Sequence, residues 1–258
     1  MSQYPTPNIS QDLTGQTALV TGASSGLGLR FAKVLGACGA RVALAARRTD
    51  KLEAVAEAIR AAGGTAQAFA LDVTDSDQLK TITPAVEAAL GPVTILVNNA
   101  GIPDAQRAVK MDLALIDRVM DVNLRAPFIL SCEVARRLME LKMGGRIINI
   151  ASMAAFDYSG NGAALYSITK AGVVRMTEAL AVEWARFNIN VNAIAPGAFS
   201  SEMMDGMLER VGDISQHFPR KRLGDPAQMD STLIFLASPA SEAVTGAVIK
   251  IDDGQHGR

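Results

Sequence analysis

Seven short apolar runs, at 17–21, 41–46, 66–71, 93–97, 146–150, 189–194 and 246–251, alternate with longer stretches of helical period. This rhythm restricts the fold more than any other feature of the chain. Most of the runs are continuously apolar, as in RVALAA and VTILV, rather than strictly alternating. Strands read this way when both faces are covered and neither meets water. Between them, residues 51–62, 75–90 and 164–186 carry apolar residues at three- and four-residue spacing, the pattern of amphipathic helices. Asp50 with Glu53 has the spacing of a capping box that opens the second helix. Gly39, Gly63, Gly91 and Gly145 stand where helices would stop before the next strand. Links this short between alternating strands and helices imply parallel strands joined by crossover helices. The expected fold class is α/β, a doubly wound seven-stranded parallel sheet with helices on both faces.

A chain of 258 residues suits one large core, and no linker-like or charged block divides it. Residues 1–258 are therefore read as a single domain, with 1–11 as a flexible N-terminal segment. A formal net charge of −1 gives no footprint for nucleic acid or an anionic membrane surface. The short basic cluster Arg220-Lys221-Arg222 reads as a solvated loop, with contact to an anionic substrate as the alternative. Cys38 and Cys132 lie far apart and read as buried free thiols in a reducing compartment. His217 and His256 lack partners at ligand spacing, so no metal site is expected. The N-terminal stretch is polar and contains proline, unlike a signal peptide, and the apolar runs fall short of the ~20 residues a membrane helix needs. The expectation is a soluble, cytoplasmic protein acting on small molecules, with no membrane and no nucleic acid as partner.

The run TGASSGLG at 21–28 joins the first expected strand to the first helix. Gly22, Gly26 and Gly28 permit a tight turn and close approach of backbone to phosphate, and the helix N-terminus offers unpaired N–H groups. A strand, a glycine-rich turn and a helix in this order read as a dinucleotide site that includes Ser24, Ser25 and Leu27. The end of the second strand selects the adenosine ribose: an acid there accepts from a free 2′-hydroxyl, whereas arginine accommodates a 2′-phosphate. Arg47 and Arg48 follow Ala46 there, with no acid before Asp50. NADP(H) is the expected cofactor, with NAD(H) the lesser alternative.

Tyr166 and Lys170 are four residues apart, on one face of a helix, and follow Ser152 by fourteen and eighteen residues. An ammonium beside a phenol favours the phenolate, so Lys170 is expected to lower the pKa of Tyr166 and make it a general acid–base. Two places break the β–α rhythm. Pro127, just after Asn123, should kink or restart a helix. Residues 198–220 carry Met203, Met204 and Met207 with Phe199, Ile214 and Phe218. That stripe is either plain core or a lid over an irregular apolar ligand.

With TGASSGLG, NNAG at 98–101, Asn123, Ser152 and YSITK at 166–170 in this order, the chain closely resembles the short-chain dehydrogenase/reductase family from about residue 12 to 254. The resemblance implies a Rossmann-type NAD(P)-binding domain, usually a homotetramer. It makes Tyr166 the proton donor to the carbonyl and gives Ser152 a hydrogen bond to the same oxygen. Lys170 would lower the tyrosine pKa and bind the nicotinamide ribose, and Asn123 would hold a helix kink and a relay water. Asp72 and Val73 would meet the adenine, and Asn98, Asn99, Ala100 and Gly101 would line the cofactor cleft. For Asn98, a bridge between strands is the alternative. Pro196, Gly197, Phe199 and Ser201 would border the nicotinamide.

The chain also departs from the family pattern. The interval from Ser152 to Tyr166 is one residue longer than usual, so the loop with Asp157 and Tyr158 is expected to bulge over the substrate. Ser25 stands where NADP-dependent relatives often have a basic residue, leaving Arg47, helped by Arg48, as the 2′-phosphate partner. The implied activity is hydride transfer between NADPH and a ketone or secondary alcohol, as a carbonyl reductase or alcohol dehydrogenase. A 3-oxoacyl thioester is one alternative substrate, and a non-catalytic NADP sensor is the rival from another class.

Overall fold

The computed structural model describes residues 7–104, 106–158, 160 and 162–255; His256 lies outside them. Seven parallel strands form one sheet: β1 (Thr17–Thr21), β2 (Arg41–Ala46), β3 (Thr65–Ala70), β4 (Ile95–Asn98), β5 (Gly145–Ile150), β6 (Ile189–Pro196) and β7 (Val248–Ile251). Their spatial order is β3-β2-β1-β4-β5-β6-β7. The order reverses direction between β1 and β4, the crevice where doubly wound sheets bind ligands. β1, β4 and β6 are buried at every position, as strands covered by helices on both faces must be. The two edge strands β3 and β7 are only partly buried, and β3 begins with an exposed–buried–exposed alternation.

The helices are α1 (Gly26–Ala37), α2 (Thr49–Ala61), α3 (Ser76–Leu90), α4 (Leu113–Met120), α5 (Ala126–Leu141), α6 (Ala164–Trp184), α7 (Glu202–Val211) and α8 (Asp230–Ala237). They bury apolar side chains in two layers. One holds Phe31, Leu35, Leu52 and Leu233 against one sheet face, and the other holds Leu79, Leu130, Leu138 and Trp184 against the opposite face. Asp75 caps α3 by accepting from the amides of Asp77 and Gln78. The expected break at Pro127 is present: a π turn over Asp121–Arg125 joins α4 to α5, with Pro127 in the first turn of α5. The backbone stays helical through this turn, with Ala126 N donating to Asp121 O five residues back, so the winding changes just before Pro127.

Three local expectations are corrected. Asp50 lies inside the first turn of α2, whose N-cap is Arg48 without a side-chain cap, so no capping box forms. Gly145 is not a helix stop: α5 ends at Lys142, which takes the left-handed conformation at φ 54, and Gly145 opens β5. Glycine is required there for space, since a Cβ would meet Leu138 Cδ1 at 2.5 Å and Thr94 O at 3.0 Å. Cys38 and Cys132 are free but half-buried rather than fully buried.

The C-terminal segment anchors both ends of the stretch 198–222. Gln255 Oε1 accepts from Ala198 N at 2.6 Å, and its Nε2 donates to Ala198 O at 3.1 Å. Arg220 and Arg222 pair with Asp253 at 2.7 and 2.8 Å, so this basic cluster is a structural tie rather than a merely solvated loop.

Candidate active site

A cleft of about 1610 Å³ opens at the C-terminal ends of the central strands. The β1–α1 turn forms its floor. Gly22 and Gly26 adopt φ of +66 and +53, a region open to glycine at little cost. A Cβ on Gly28 would lie 2.4 Å from both Asn99 Nδ2 and Gly22 O, so glycine lets α1 approach β1 and β4 this closely. Thr21 Oγ1 accepts from the amides of Asn99 and Ala100 at 3.0 and 3.1 Å, and Asn99 Nδ2 donates to Thr21 O at 2.9 Å. These bonds lock the turn to the segment after β4.

The first turn of α1 carries no acidic side chain, and its N-cap Ser25 makes no capping bond. The first-turn amides, which helix geometry leaves without intrahelical acceptors, are thus available to an anion. Ser24, Ser25, Gly26 and Leu27 line the cleft beside Arg47, Arg48, Asp72 and Val73. Arg48 Nη2 donates to Ser24 Oγ at 3.0 Å and Ser25 Oγ at 2.8 Å. Arg48, rather than Arg47, is therefore the arginine turned onto the glycine-rich turn. The charge of Arg47 acts instead on Asp72, whose carboxyl is held below its usual range chiefly by the Thr74 amide. Asp72 Oδ1 accepts from Thr74 N and Oγ1 at 3.0 and 2.8 Å, closing a local turn at the cleft edge. This open helix terminus, with glycines that admit close approach and two arginines alongside, fits a dinucleotide phosphate.

Ser152, Tyr166 and Lys170 line the same cleft. Ser152 sits two residues after β5, and Tyr166 and Lys170 lie in the first two turns of α6. The Ser152 side chain hydrogen-bonds the phenol. Lys170 is 4 % exposed, donates to Ile150 O at 2.7 Å, and its ammonium lies 5.6 Å from the Tyr166 ring centre. The expectation that Lys170 lowers the tyrosine pKa is corrected. Burial is the largest influence on Tyr166 and raises its pKa, the Ser152 bond works against it, and the charge of Asp104 adds to the rise. Lys170 itself is pushed down to about 8 by burial. Burial in a dry wall disfavours the charged form of each group, yet Lys170 still holds its proton at neutral pH.

Asn123, 1 % exposed in the π turn, accepts from Ile102 N and donates to Ile102 O, each at 2.9 Å. It thereby pins the segment after β4 to the helix break behind Gly101. A Cβ on Gly101 would sit 3.5 Å from Asn123 Oδ1 and 3.6 Å from Lys170 Nζ, which brings these groups close together. Asn123 does not line the cleft among the described residues, whereas Asn99, Ala100, Gly101, Pro196 and Gly197 do.

Asn98 is corrected: it is buried away from the cleft and donates to Asn149 Oδ1 at 2.9 Å and Ser131 Oγ at 3.0 Å. Strand alternation turns its side chain toward α5 while the next residues reach the cleft. It is the strand bridge. Phe199 borders the cleft, but its ring is core, packed on Gly224 and 3 % exposed. Ser201 caps α7 by accepting from Met204 N at 3.2 Å.

The apolar residues of 198–220 divide between the cleft lining and the core. Met203, Met204, Met207, Ile214, His217 and Phe218 line the cleft mouth, while Phe199 belongs to the core. Asp157 and Tyr158 also line the cleft, as expected of the lengthened loop.

Three residues escaped sequence reasoning. Asp104, 3 % exposed, accepts from Tyr166 N at 2.9 Å and supplies the cap that Ala163 cannot. Its sequence separation of 62 residues left no local signal. Thr21 opens the glycine-rich run, but nothing in that run signals its hydrogen bonds to Asn99 and Ala100. Glu202 follows the Ser201 cap, where an acid reads only as dipole complement.

With this geometry in place, residues 16–211 match the family model described as short chain dehydrogenase. The chain is 35% identical over 250 residues to a 2-dehydro-3-deoxy-D-gluconate 5-dehydrogenase of Formosa agariphila, covering 94% of this chain and 93% of that protein. It is likewise 35% identical over 245 residues to a 3-oxoacyl-[acyl-carrier-protein] reductase of Rickettsia bellii, covering 94% and 98%. A solved structure from Beutenbergia cavernae, with NADP bound at low occupancy, superposes with a TM-score of 0.88 at 36% identity over 96% of this chain and 99% of that one. The chain belongs to the short-chain dehydrogenase/reductase family and is an oxidoreductase that works with a nicotinamide cofactor on small molecules.

Proposed function

We propose that the protein is an NADP(H)-dependent oxidoreductase that interconverts a ketone and a secondary alcohol, with Tyr166 as general acid–base. The observation that carries this reading is the convergence of the Ser152 hydroxyl, the Tyr166 phenol and the buried Lys170 ammonium in one cleft with the glycine-rich turn. The nicotinamide, when bound, supplies or accepts the hydride. Tyr166 donates its phenolic proton to the carbonyl oxygen, and Ser152 donates a hydrogen bond to the same atom as charge develops. Lys170, with a pKa near 8, stands close to the pH at which it can pass a proton to the emptied phenolate. Asn123 holds the helix break and Ile102, keeping Gly101 close enough to border the cofactor.

Ser24, Ser25, Arg47 and Arg48 favour a 2′-phosphate, in keeping with the NADP carried by the Beutenbergia structure. The methionines at the cleft mouth favour a carbonyl with an apolar flank. A 3-oxoacyl thioester is the second reading, supported by the likeness to the Rickettsia reductase. A single domain with 198–220 as its lid, assembled as a homotetramer in the cytoplasm, is the form that goes with this activity.

The test is NADPH oxidation against a panel of ketones and 3-oxoacyl thioesters, with the Tyr166→Phe variant alongside. The variant should lose at least ~10²-fold in kcat, the usual cost of a missing general acid, while NADPH affinity measured by fluorescence holds. Near-normal turnover by the variant would refute the role of Tyr166. Tight NADPH binding with no turnover of any ketone would point instead to a sensor.

A further inference from the structure

No acid follows β2 before Asp50, but an acid from α7 reaches Arg48, just after the strand. Glu202 Oε2 accepts from Arg48 Nη2 at 3.2 Å, and its Oε1 lies 3.4 Å from Lys51 Nζ. The Ser25 hydroxyl also bonds this carboxylate, and together these partners hold it below its usual range. Glu202 thus takes a guanidinium, an ammonium and a hydroxyl, the donor types that a phosphate monoester would take. The same Arg48 nitrogen also donates to Ser24 and Ser25.

We infer that Glu202 is a second determinant of cofactor choice, docking the lid helix onto the cationic group that reads the 2′-phosphate, so that phosphate binding and lid docking compete. The inference rests on the reading that Arg48 faces the 2′-phosphate. Two anions cannot share Arg48 Nη2 and the Ser25 hydroxyl without repelling one another. A cofactor bearing a 2′-phosphate must displace Glu202, whereas one with a free 2′-hydroxyl leaves the tie in place. Ser201, which borders the cleft, immediately precedes Glu202, and Met203 and Met204 at the cleft mouth immediately follow it. The adenosine end of the cofactor is thereby linked to the part of α7 that faces the substrate.

The experiment is calorimetric binding of 2′,5′-ADP and 5′-ADP to the wild type and to Glu202→Gln, with hydrogen exchange of residues 202–211. In the wild type, 2′,5′-ADP should speed exchange in that segment and 5′-ADP should not. In Glu202→Gln, the exchange should already be fast without ligand. The variant should bind 2′,5′-ADP about two- to fivefold tighter, as expected for removing an exposed ion pair, with 5′-ADP unchanged. The gain should shrink at high salt. Equal effects on the two nucleotides, or none, would overturn the role of Glu202. A wild type that binds both nucleotides equally would instead overturn the NADP reading on which the inference rests.

Discussion

Replacing Lys170 with methionine removes a charge that the fold buries, and the consequence depends on pH. The ammonium is 4 % exposed and bonds Ile150 O at 2.7 Å. Burial lowers its pKa from 10.5 to about 8. Below about pH 8 the folded and unfolded chains both carry the proton, and the native state bears the whole cost of the buried charge. Between about 8 and 10.5 the unfolded chain keeps a proton that the folded one has released, so stability rises with pH. At about 1.4 kcal/mol per pH unit, the full swing is roughly 3 kcal/mol. Other groups titrate in this range, so the informative quantity is the difference between wild type and Lys170→Met. Methionine also leaves Ile150 O without its donor, which offsets the whole curve without tilting it. Urea denaturation from pH 7 to 9.5 should show the wild type gaining about 2 kcal/mol on the variant between pH 8 and 9.5. Parallel curves would refute the claim that Lys170 is desolvated.

Other predictions follow from the geometry. Gly28→Ala should weaken nucleotide binding and cost about 1–3 kcal/mol, because the new methyl would push apart Gly22 and Asn99; unchanged binding by calorimetry would contradict the packing. Asn98→Ala should cost about 1–3 kcal/mol in denaturation while leaving nucleotide affinity intact, since the side chain bridges Asn149 and Ser131 rather than lining the cleft. Arg48→Ala should weaken NADP(H) binding about tenfold, and more than Arg47→Ala does; the reverse order would return the 2′-phosphate to Arg47.

Much was legible from the residues alone: the chain order of strands and helices, the glycine turn, a change in the helix near Pro127, and Tyr166 with Lys170 on one helix face, to which the family resemblance added Ser152. Each of these is written in local spacing or in chemistry that few residue types can perform. Strand ends and caps were less legible, because backbone such as Lys142 takes the left-handed conformation that Gly145 was expected to supply.

The tuning of the site became visible only with the packing around it. Desolvation is set by everything packed around a group, so the balance that raises Tyr166 and lowers Lys170 could not be read from their four-residue spacing. The caps and ties that cross the fold, Asp104 to Tyr166, Gln255 to Ala198 and Glu202 to Arg48, join residues 62, 57 and 154 positions apart. No local pattern encodes such pairs, because they exist only once the sheet has brought the ends of its strands to one rim.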